Sequence, residues 1–240
     1  MIVAEDRACS ETPSAVAGAV AGEMPALDAR LFELARATKG FMPDYEGMAL
    51  YHAALATAGH ESTSWVEIGA YCGKSTVYLG AAAMSAGSVL FSVDHHNGSE
   101  ENQPGWEHHD PSLVDPDTGR MDTLRNWRKT INEARLGSHV VGVIGDSSTV
   151  SAHWATPLAF VFIDGGHAEE VAWADYRGWA RHIAPGGTLA IHDVFDNPLE
   201  GGRPPFDIWK AALESGAFVE SGALGSLRLL RRIGDGADRR

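Results

Sequence analysis

Short apolar runs alternate with longer amphipathic stretches along most of the chain. Strands covered on both faces of a sheet read as continuous hydrophobic runs, and such runs of four to seven residues recur here. Apolar residues at helical spacing follow most of them. Strands that alternate with helices predict a doubly wound α/β sheet, similar to a Rossmann fold. The predicted strands are 65–68, 88–94, 140–144, 158–163 and 188–191.

The two ends of the chain complete this architecture. Residues 25–58 contain two helical patterns separated by a Gly/Pro break, and they predict a helical cap. Segments 217–220 and 226–230 predict a closing antiparallel hairpin, which makes a sheet of about seven strands. Residues 1–24 are rich in Ala, Gly, Ser, Glu and Pro and predict a flexible tail. The main domain is therefore expected to span 59–232, with a frayed tail from Arg231 onward.

One connection, 95–120, is too long for an ordinary α/β loop. It contains Trp106, three prolines and two pairs of adjacent histidines. Insertions of this length inside a compact domain are usually functional or disordered, so we interpret it as a lid or substrate loop. Its four histidines could also suggest a zinc site, but two adjacent histidines lack the ligand spacing of known zinc motifs.

The segment 65–77, Trp-Val-Glu-Ile-Gly-Ala-Tyr-Cys-Gly-Lys-Ser-Thr-Val, predicts a buried strand, a tight glycine turn and a helix start. The free N–H groups of such a helix start can bind a ligand. A phosphate loop requires four residues between its glycines, and only three separate Gly69 from Gly73. A dinucleotide fingerprint requires glycine where the chain has Tyr71.

Acidic residues follow the predicted strands. Asp94 ends the second strand about 20 residues after Gly73, the spacing at which an acid accepts hydrogen bonds from ribose hydroxyls. Asp146, Asp164 and Asp193 follow later strands. Because the carboxyl ends of parallel strands meet at one edge of a sheet, these side chains are expected to share one site.

With the glycine turn, the strand-end acids and the final hairpin, the chain resembles the class I S-adenosylmethionine (SAM) dependent methyltransferases. Val-Glu-Ile-Gly-Ala-Tyr-Cys-Gly-Lys-Ser-Thr is similar to the first motif of that family. The resemblance implies SAM as cofactor, and Asp146 or a serine after it as a partner of the adenine amino group. Asp146 could equally be the N-cap of the short helix that follows it. The implied cofactor residues are Glu67, Gly69, Ala70, Tyr71, Gly73, Ser75, Asp94, His95, Asp146 and Ser147.

Two further motifs resemble the metal-dependent O-methyltransferases that act on sugar hydroxyls and natural products. They are Ile-Asp-Gly-Gly-His, ending at His167, and Ile-His-Asp, ending at Asp193. The resemblance implies catalytic roles for Asp164 and His167, with His167 as the base. It also implies a Mg²⁺ ion held by Asp164, Asp193 and His192, although His192 is open as base, ligand or lining residue. Glu100 and Glu101 are candidates for a further acidic ligand.

The chemistry fits such residues. The methyl group of SAM is already activated, so the enzyme has to supply an aligned nucleophile. A cation on carboxylates polarises a hydroxyl, and a nearby histidine accepts its proton. The predicted acceptor is a small molecule or sugar.

Composition limits the remaining partners. A net charge of −13 disfavours nucleic acid, because an acidic surface repels phosphate backbones. Cys9 and Cys72 make no disulfide framework or metal motif. With no long apolar run and no signal-peptide pattern, the sequence predicts a cytoplasmic protein without membrane contact. A homodimer that shields the N-terminal helices is also expected.

Other classes remain as alternatives. The chain could be a nucleoside-binding protein without methyl transfer, or another metal-assisted enzyme on the same fold. A nucleic-acid methyltransferase that acts on amino groups is disfavoured. The family that such enzymes resemble has an acidic residue or Asn followed by Pro-Pro after the fourth strand, whereas Gly-Gly follows Asp164 here.

Overall fold

The structure is a computed structural model that describes residues 24–106, 108–197 and 202–235. The predicted flexible tail lies outside the described residues except for Met24. In the described part of the chain, every helix is too short or too polar to cross a lipid bilayer.

Seven strands form one sheet in the order β3-β2-β1-β4-β5-β7-β6. Strands β1 to β5 pair in parallel, while β7 is antiparallel to both β5 and β6. The doubly wound sheet with a C-terminal antiparallel hairpin is therefore confirmed. The strands are Ser64–Ile68 (β1), Val89–Asp94 (β2), Val140–Ile144 (β3), Leu158–Ile163 (β4), Ile183–Ile191 (β5), Phe218–Leu224 (β6) and Leu227–Arg232 (β7).

Helices cover both faces of the sheet. The first four pack on one face, where Trp65 and Phe160 point, and the last three pack on the other, where Val66 points. Successive residues of a strand point to opposite faces, so each central strand contributes to both cores. The helices are Ala29–Ala37 (α1), Asp44–Leu55 (α2), Lys74–Ala86 (α3), Leu124–Ala134 (α4), Ser147–Ala152 (α5), Glu169–Trp179 (α6) and Pro204–Glu214 (α7).

Two predicted boundaries were wrong. The Pro-Gly-Gly segment at 185–187 lies inside β5 and does not end the preceding element; a register shift between β4 and β5 accommodates it. Arg231 is not in a frayed tail, because it pairs with Thr188 and Val219 inside the sheet. Helix α4 begins at Leu124, and Met121 before it forms a bridge with Val114.

The described residues of the 95–120 connection form short local structure. It contains two 3₁₀ turns, Glu100–Asn102 and Pro111–Leu113. Leu113 and Met121 are buried against Cys72 in a small apolar cluster of their own. An ion pair between Lys39 and Asp110 ties this connection to the segment between α1 and α2.

Gly47 lets helix α2 lie against α3. A Cβ atom added at Gly47 would lie 2.3 Å from a ring carbon of Tyr78, whose side chain is fully buried on α3. Glycine inside a helix costs about 1 kcal/mol relative to alanine, so its presence here reflects the close approach of the two helices.

We predict that Gly47→Ala lowers the free energy of unfolding by about 1–3 kcal/mol, because overpacking against a fixed ring outweighs the gain in helix propensity. Urea unfolding measures this. Gly137→Ala is the matched control, since an added Cβ there meets no atom within 4 Å. Equal stability of the two variants would contradict the prediction.

Candidate active site

A cavity of about 840 Å³ opens at the carboxyl ends of the parallel strands. Its walls come from the ends of β1 to β5, from residues 39–42 and from the connection after β2. Of the residues expected at the site, it brings together Gly69, Ala70, Tyr71, Ser75, Asp94, His95, Asp146, Ser147, Asp164, His167, His192 and Asp193. The glycine turn and the acids after β4 and β5 therefore share one cavity.

The turn after β1 depends on backbone conformations that glycine allows. Gly69 has φ +86°, and an added Cβ would lie 2.1 Å from the carbonyl oxygen of Asp164. Gly73 has φ +95° and precedes the first residue of α3. Tyr71 adopts a left-handed φ of 49° without being glycine. The turn thus runs directly against the end of β4.

Asp94 holds this turn from the neighbouring strand. One of its carboxylate oxygens accepts hydrogen bonds from the backbone N–H groups of Ala70 (2.9 Å) and Tyr71 (2.8 Å). The other accepts from the backbone N–H of His96 at 2.7 Å. A carboxylate offers about four lone-pair positions, so Asp94 retains acceptor capacity toward the cavity that it lines.

Glu67 lies beneath the turn and does not line the cavity. Its side chain is fully buried and accepts hydrogen bonds from the hydroxyls of Ser75 (2.6 Å), Thr76 (2.7 Å) and Ser92 (2.7 Å). Burial raises its pKa to about 7, although these hydroxyls favour the ionised form. Glu67 therefore joins β1, β2 and the start of α3. Gly73, like Glu67, is absent from the cavity lining.

The segment after β3 starts the short helix α5. Asp146 caps it, since one carboxylate oxygen accepts from the Thr149 N–H at 2.8 Å and from the Ser148 and Thr149 hydroxyls. The N-cap interpretation is confirmed, and Asp146 also lines the cavity. Ser147 accepts from the indole N–H of Trp179 at 2.8 Å.

The acids after β4 and β5 converge on one histidine. Asp164, His192 and Asp193 each offer a ligand atom, and these atoms lie within 4.8 Å of one another. Nδ1 of His192 is 3.0 Å from Asp164 Oδ1 and 3.4 Å from Asp193 Oδ2. Two carboxylates and an imidazole within this distance fit a divalent cation.

His167 lies between two further carboxylates. Its Nε2 is 3.1 Å from Asp193 Oδ2, and its Nδ1 is 3.2 Å from Glu101 Oε1. Burial alone would lower the pKa of His167, but the hydrogen bonds that it donates to Asp193 and Glu101 outweigh this effect and raise the pKa to about 10. Burial likewise opposes ionisation of Asp193, yet hydrogen bonds from His167 and His192 keep its pKa well below its usual range.

A family model described as a methyltransferase domain matches residues 66–194, which is more than half of the chain. The chain belongs to this methyltransferase-domain family. The match runs from β1 to the residue after Asp193, so it includes the glycine turn and the acids of the cluster.

Solved structures of similar fold are also methyltransferases. The O-methyltransferase TomG from Streptomyces achromogenes, in complex with SAM, is 14% identical, with 86% of this chain and 91% of that chain covered and a TM-score of 0.59. An O-methyltransferase from Bacillus cereus with bound S-adenosylhomocysteine (SAH) is 16% identical, with coverages of 88% and 93% and a TM-score of 0.58. The SAH-bound methyltransferase PaMTH1 from Podospora anserina is 11% identical, with coverages of 85% and 86% and a TM-score of 0.60. The expected class I methyltransferase fold is thereby confirmed.

Two buried acids of the described chain were not predicted from the sequence. Glu46 on α2 and Asp175 on α6 are only 1% and 3% exposed, and both are close to the site. Glu46 contacts His192, while Asp175 lines the cavity, and burial raises the pKa of Asp175 to about 6. A signal was present, because each acid lies on the buried face of its helix, four residues before Leu50 and Trp179 respectively.

Aromatic side chains line the mouth of the cavity. The ring of Phe41 lies 4.7 Å from that of His108 and 5.5 Å from that of Tyr71, measured between centroids. Phe41 and Trp106 remain 60% and 53% exposed, although both line the cavity. Of the two acids considered as further ligands, Glu101 reaches the site through His167, while Glu100 is absent from the described cavity lining.

We predict that Glu67→Gln reduces the pH dependence of stability. The folded protein binds a proton on Glu67 more tightly than the unfolded chain, so this group destabilises the fold as pH rises from about 4.5 to about 7. Between pH 5 and pH 8 the wild type should lose about 2 kcal/mol more stability than the variant.

Urea unfolding at the two pH values measures the difference. Glu33→Gln, at an exposed position of α1, is the control and should behave as the wild type does. If the stability of the wild type and of Glu67→Gln changed equally between the two pH values, the raised pKa of Glu67 would be refuted.

Proposed function

We propose that the protein transfers the methyl group of SAM to a hydroxyl of a small molecule, a sugar or another natural product. The observation that carries this proposal is the single cavity in which the glycine turn of a methyltransferase domain meets the cluster of Asp164, His167, His192 and Asp193. One end of the cavity suits an adenosyl group, and the other suits an acceptor hydroxyl.

SAM would bind along the ends of β1, β2 and β3. Asp94 would accept hydrogen bonds from the ribose hydroxyls, as acids at this position do in nucleotide-binding βαβ units. Asp146 directs its capping contacts to one carboxylate oxygen, and the other is available for the adenine amino group. The sulfonium would face the acids after β4 and β5, whose negative charge favours a cation.

His167 would act as the base. An acceptor hydroxyl would replace one of its two carboxylate contacts, and the imidazole would take the hydroxyl proton while the oxygen attacks the methyl carbon. The carbon–sulfur bond breaks, its electron pair stays on sulfur, and SAH leaves. Holding the oxygen in line with that bond supplies much of the acceleration.

Asp164, Asp193 and His192 would hold a divalent cation, for which the resemblance implied Mg²⁺. A cation bound there would polarise the acceptor hydroxyl and offset the negative charge that holds the proton on His167. Without a cation, Asp164 contacts Nδ1 of His192 at 3.0 Å, and with a cation bound both groups would be its ligands.

The cavity lining supports a neutral or cationic acceptor. Among the described residues it contains seven carboxylates and two lysines, and both lysines already pair with acids outside the lining, Lys39 with Asp110 and Lys74 with Asp44. An anionic acceptor would meet repulsion. The exposed rings of Phe41 and Trp106 offer apolar surfaces to a ring-containing acceptor. TomG is described as taking part in tomaymycin synthesis, which supports a natural product.

We predict that SAH binds the wild type and that Asp94→Asn weakens this binding about tenfold, or 1.4 kcal/mol, by removing a charged acceptor beside the ribose. Titration calorimetry measures both affinities, with ATP as the negative control. Asp115→Asn is the matched variant, since Asp115 also accepts two backbone N–H groups but lies outside the cavity lining. Binding of ATP without binding of SAH would end the proposal.

We predict that His167→Asn lowers the rate of methyl transfer by about 10²–10⁴, the usual contribution of a general base, while SAH binding stays within twofold. Methyl-labelled SAM with a panel of phenols and methyl glycosides measures transfer. His153→Asn, at an exposed histidine of the α5 C-terminus, is the control. Transfer at the normal rate in His167→Asn would remove His167 from the mechanism.

A further inference from the structure

Glu46 is a buried acid that reaches the site from outside the sheet. Its carboxylate contacts Nε2 of His192 at 2.5 Å and accepts hydrogen bonds from the backbone N–H of Ser226 at 2.7 Å and from its hydroxyl at 3.1 Å. The turn between β6 and β7 fits closely around it, since an added Cβ at Gly225 would lie 1.9 Å from Glu46 Oε1. The end of β5 and the turn between β6 and β7 therefore both hold this one carboxylate of α2.

These contacts decide which nitrogen of His192 faces the cavity. An ionised carboxylate only accepts hydrogen bonds, so Nε2 carries a hydrogen and donates it to Glu46. Nδ1 then faces Asp164 and Asp193, at 3.0 and 3.4 Å. A histidine that donates one N–H to a carboxylate and offers its other nitrogen to an ion is the usual arrangement of a metal-bound imidazole.

We propose that Glu46 is the positioning residue of His192, and that His192 binds a metal ion through Nδ1 together with Asp164 and Asp193. This inference rests on the proposed function in placing a cation at the cluster, and it goes further by naming the class of ion. Mg²⁺ prefers oxygen ligands in octahedral geometry, whereas imidazole suits first-row transition metals. The centre should therefore favour a divalent transition-metal ion over Mg²⁺.

The inference also gives the N-terminal helices a role in the site. Helix α2 supplies Glu46 and packs on α3, which begins at the glycine turn. Helix α2 thus contacts α3, which follows the glycine turn, and His192, which belongs to the cluster after β5. Loss of the outer carboxylate of such a His–carboxylate pair typically costs 10–100-fold in metal affinity.

The test uses Mn²⁺ and Mg²⁺ as probes, with calorimetry for affinity and pulsed electron paramagnetic resonance of Mn²⁺ for its ligands. The wild type should bind Mn²⁺ at least tenfold more tightly than Mg²⁺ and should show nitrogen modulation from a bound imidazole. Glu46→Gln should lose 10–100-fold in Mn²⁺ affinity. Glu33→Gln, the exposed matched control, should retain it.

His192→Asp is the second variant, because it replaces the nitrogen ligand by oxygen. It should remove the nitrogen modulation and reduce the preference for Mn²⁺ over Mg²⁺ to less than threefold. This variant keeps the proposal testable if Glu46→Gln fails to fold, which circular dichroism reveals.

Equal affinity of the wild type for the two ions, absence of nitrogen modulation, or unchanged Mn²⁺ affinity in a folded Glu46→Gln would each overturn the inference. SAH affinity, measured on the same samples, separates this failure from that of the proposed function. Normal SAH binding without the expected metal behaviour rejects the metal assignment alone, whereas absence of SAH binding rejects the proposed function.

Discussion

The site depends on the contact between Gly69 and the backbone carbonyl of Asp164. Strands β1 and β4 are parallel neighbours, so the chain leaves both at the same edge of the sheet. Only a residue without a side chain lets the turn after β1 pass so close to the end of β4. That approach brings the expected cofactor turn against Asp164, the first acid of the cluster with His192 and Asp193.

Burial of charge is the second constraint on this region. Burial raises the pKa of Asp164, while Glu67 and Asp175 also carry raised pKa values of about 7 and 6. Such groups are tolerated because each has hydrogen-bond donors close by: hydroxyls for Glu67, Ser147 for Asp175 and His192 for Asp164. The two histidines of the cluster lie between carboxylates and offset their repulsion.

Histidines His167 and His192 share one arrangement. Each has one nitrogen near the Asp164–Asp193 pair and the other near a glutamate from outside the central strands, Glu101 or Glu46. These glutamates come from the connection after β2 and from α2. The segments that cover the sheet edge therefore also orient the side chains on it.

The pattern of the chain by itself determined the sheet, its hairpin and the edge at which the site lies. Apolar runs identified the parallel strands, and acids after them identified their carboxyl ends, because both signals are local in sequence. The same locality explains the wrong boundaries. A Pro-Gly-Gly segment usually ends an element, but pairing with β4 keeps it inside β5, and pairing with β5 and β6 keeps Arg231 in β7.

Only the tertiary structure decided how the individual side chains are used. Glu67 matched a motif, yet its position on β1 points it beneath the turn toward Ser75, Thr76 and Ser92, away from the cavity. Glu46 matched no motif, and 146 residues separate it from His192 along the chain. Sequence spacing carries no information about a contact between a helix and a distant strand end, since packing across the fold creates it.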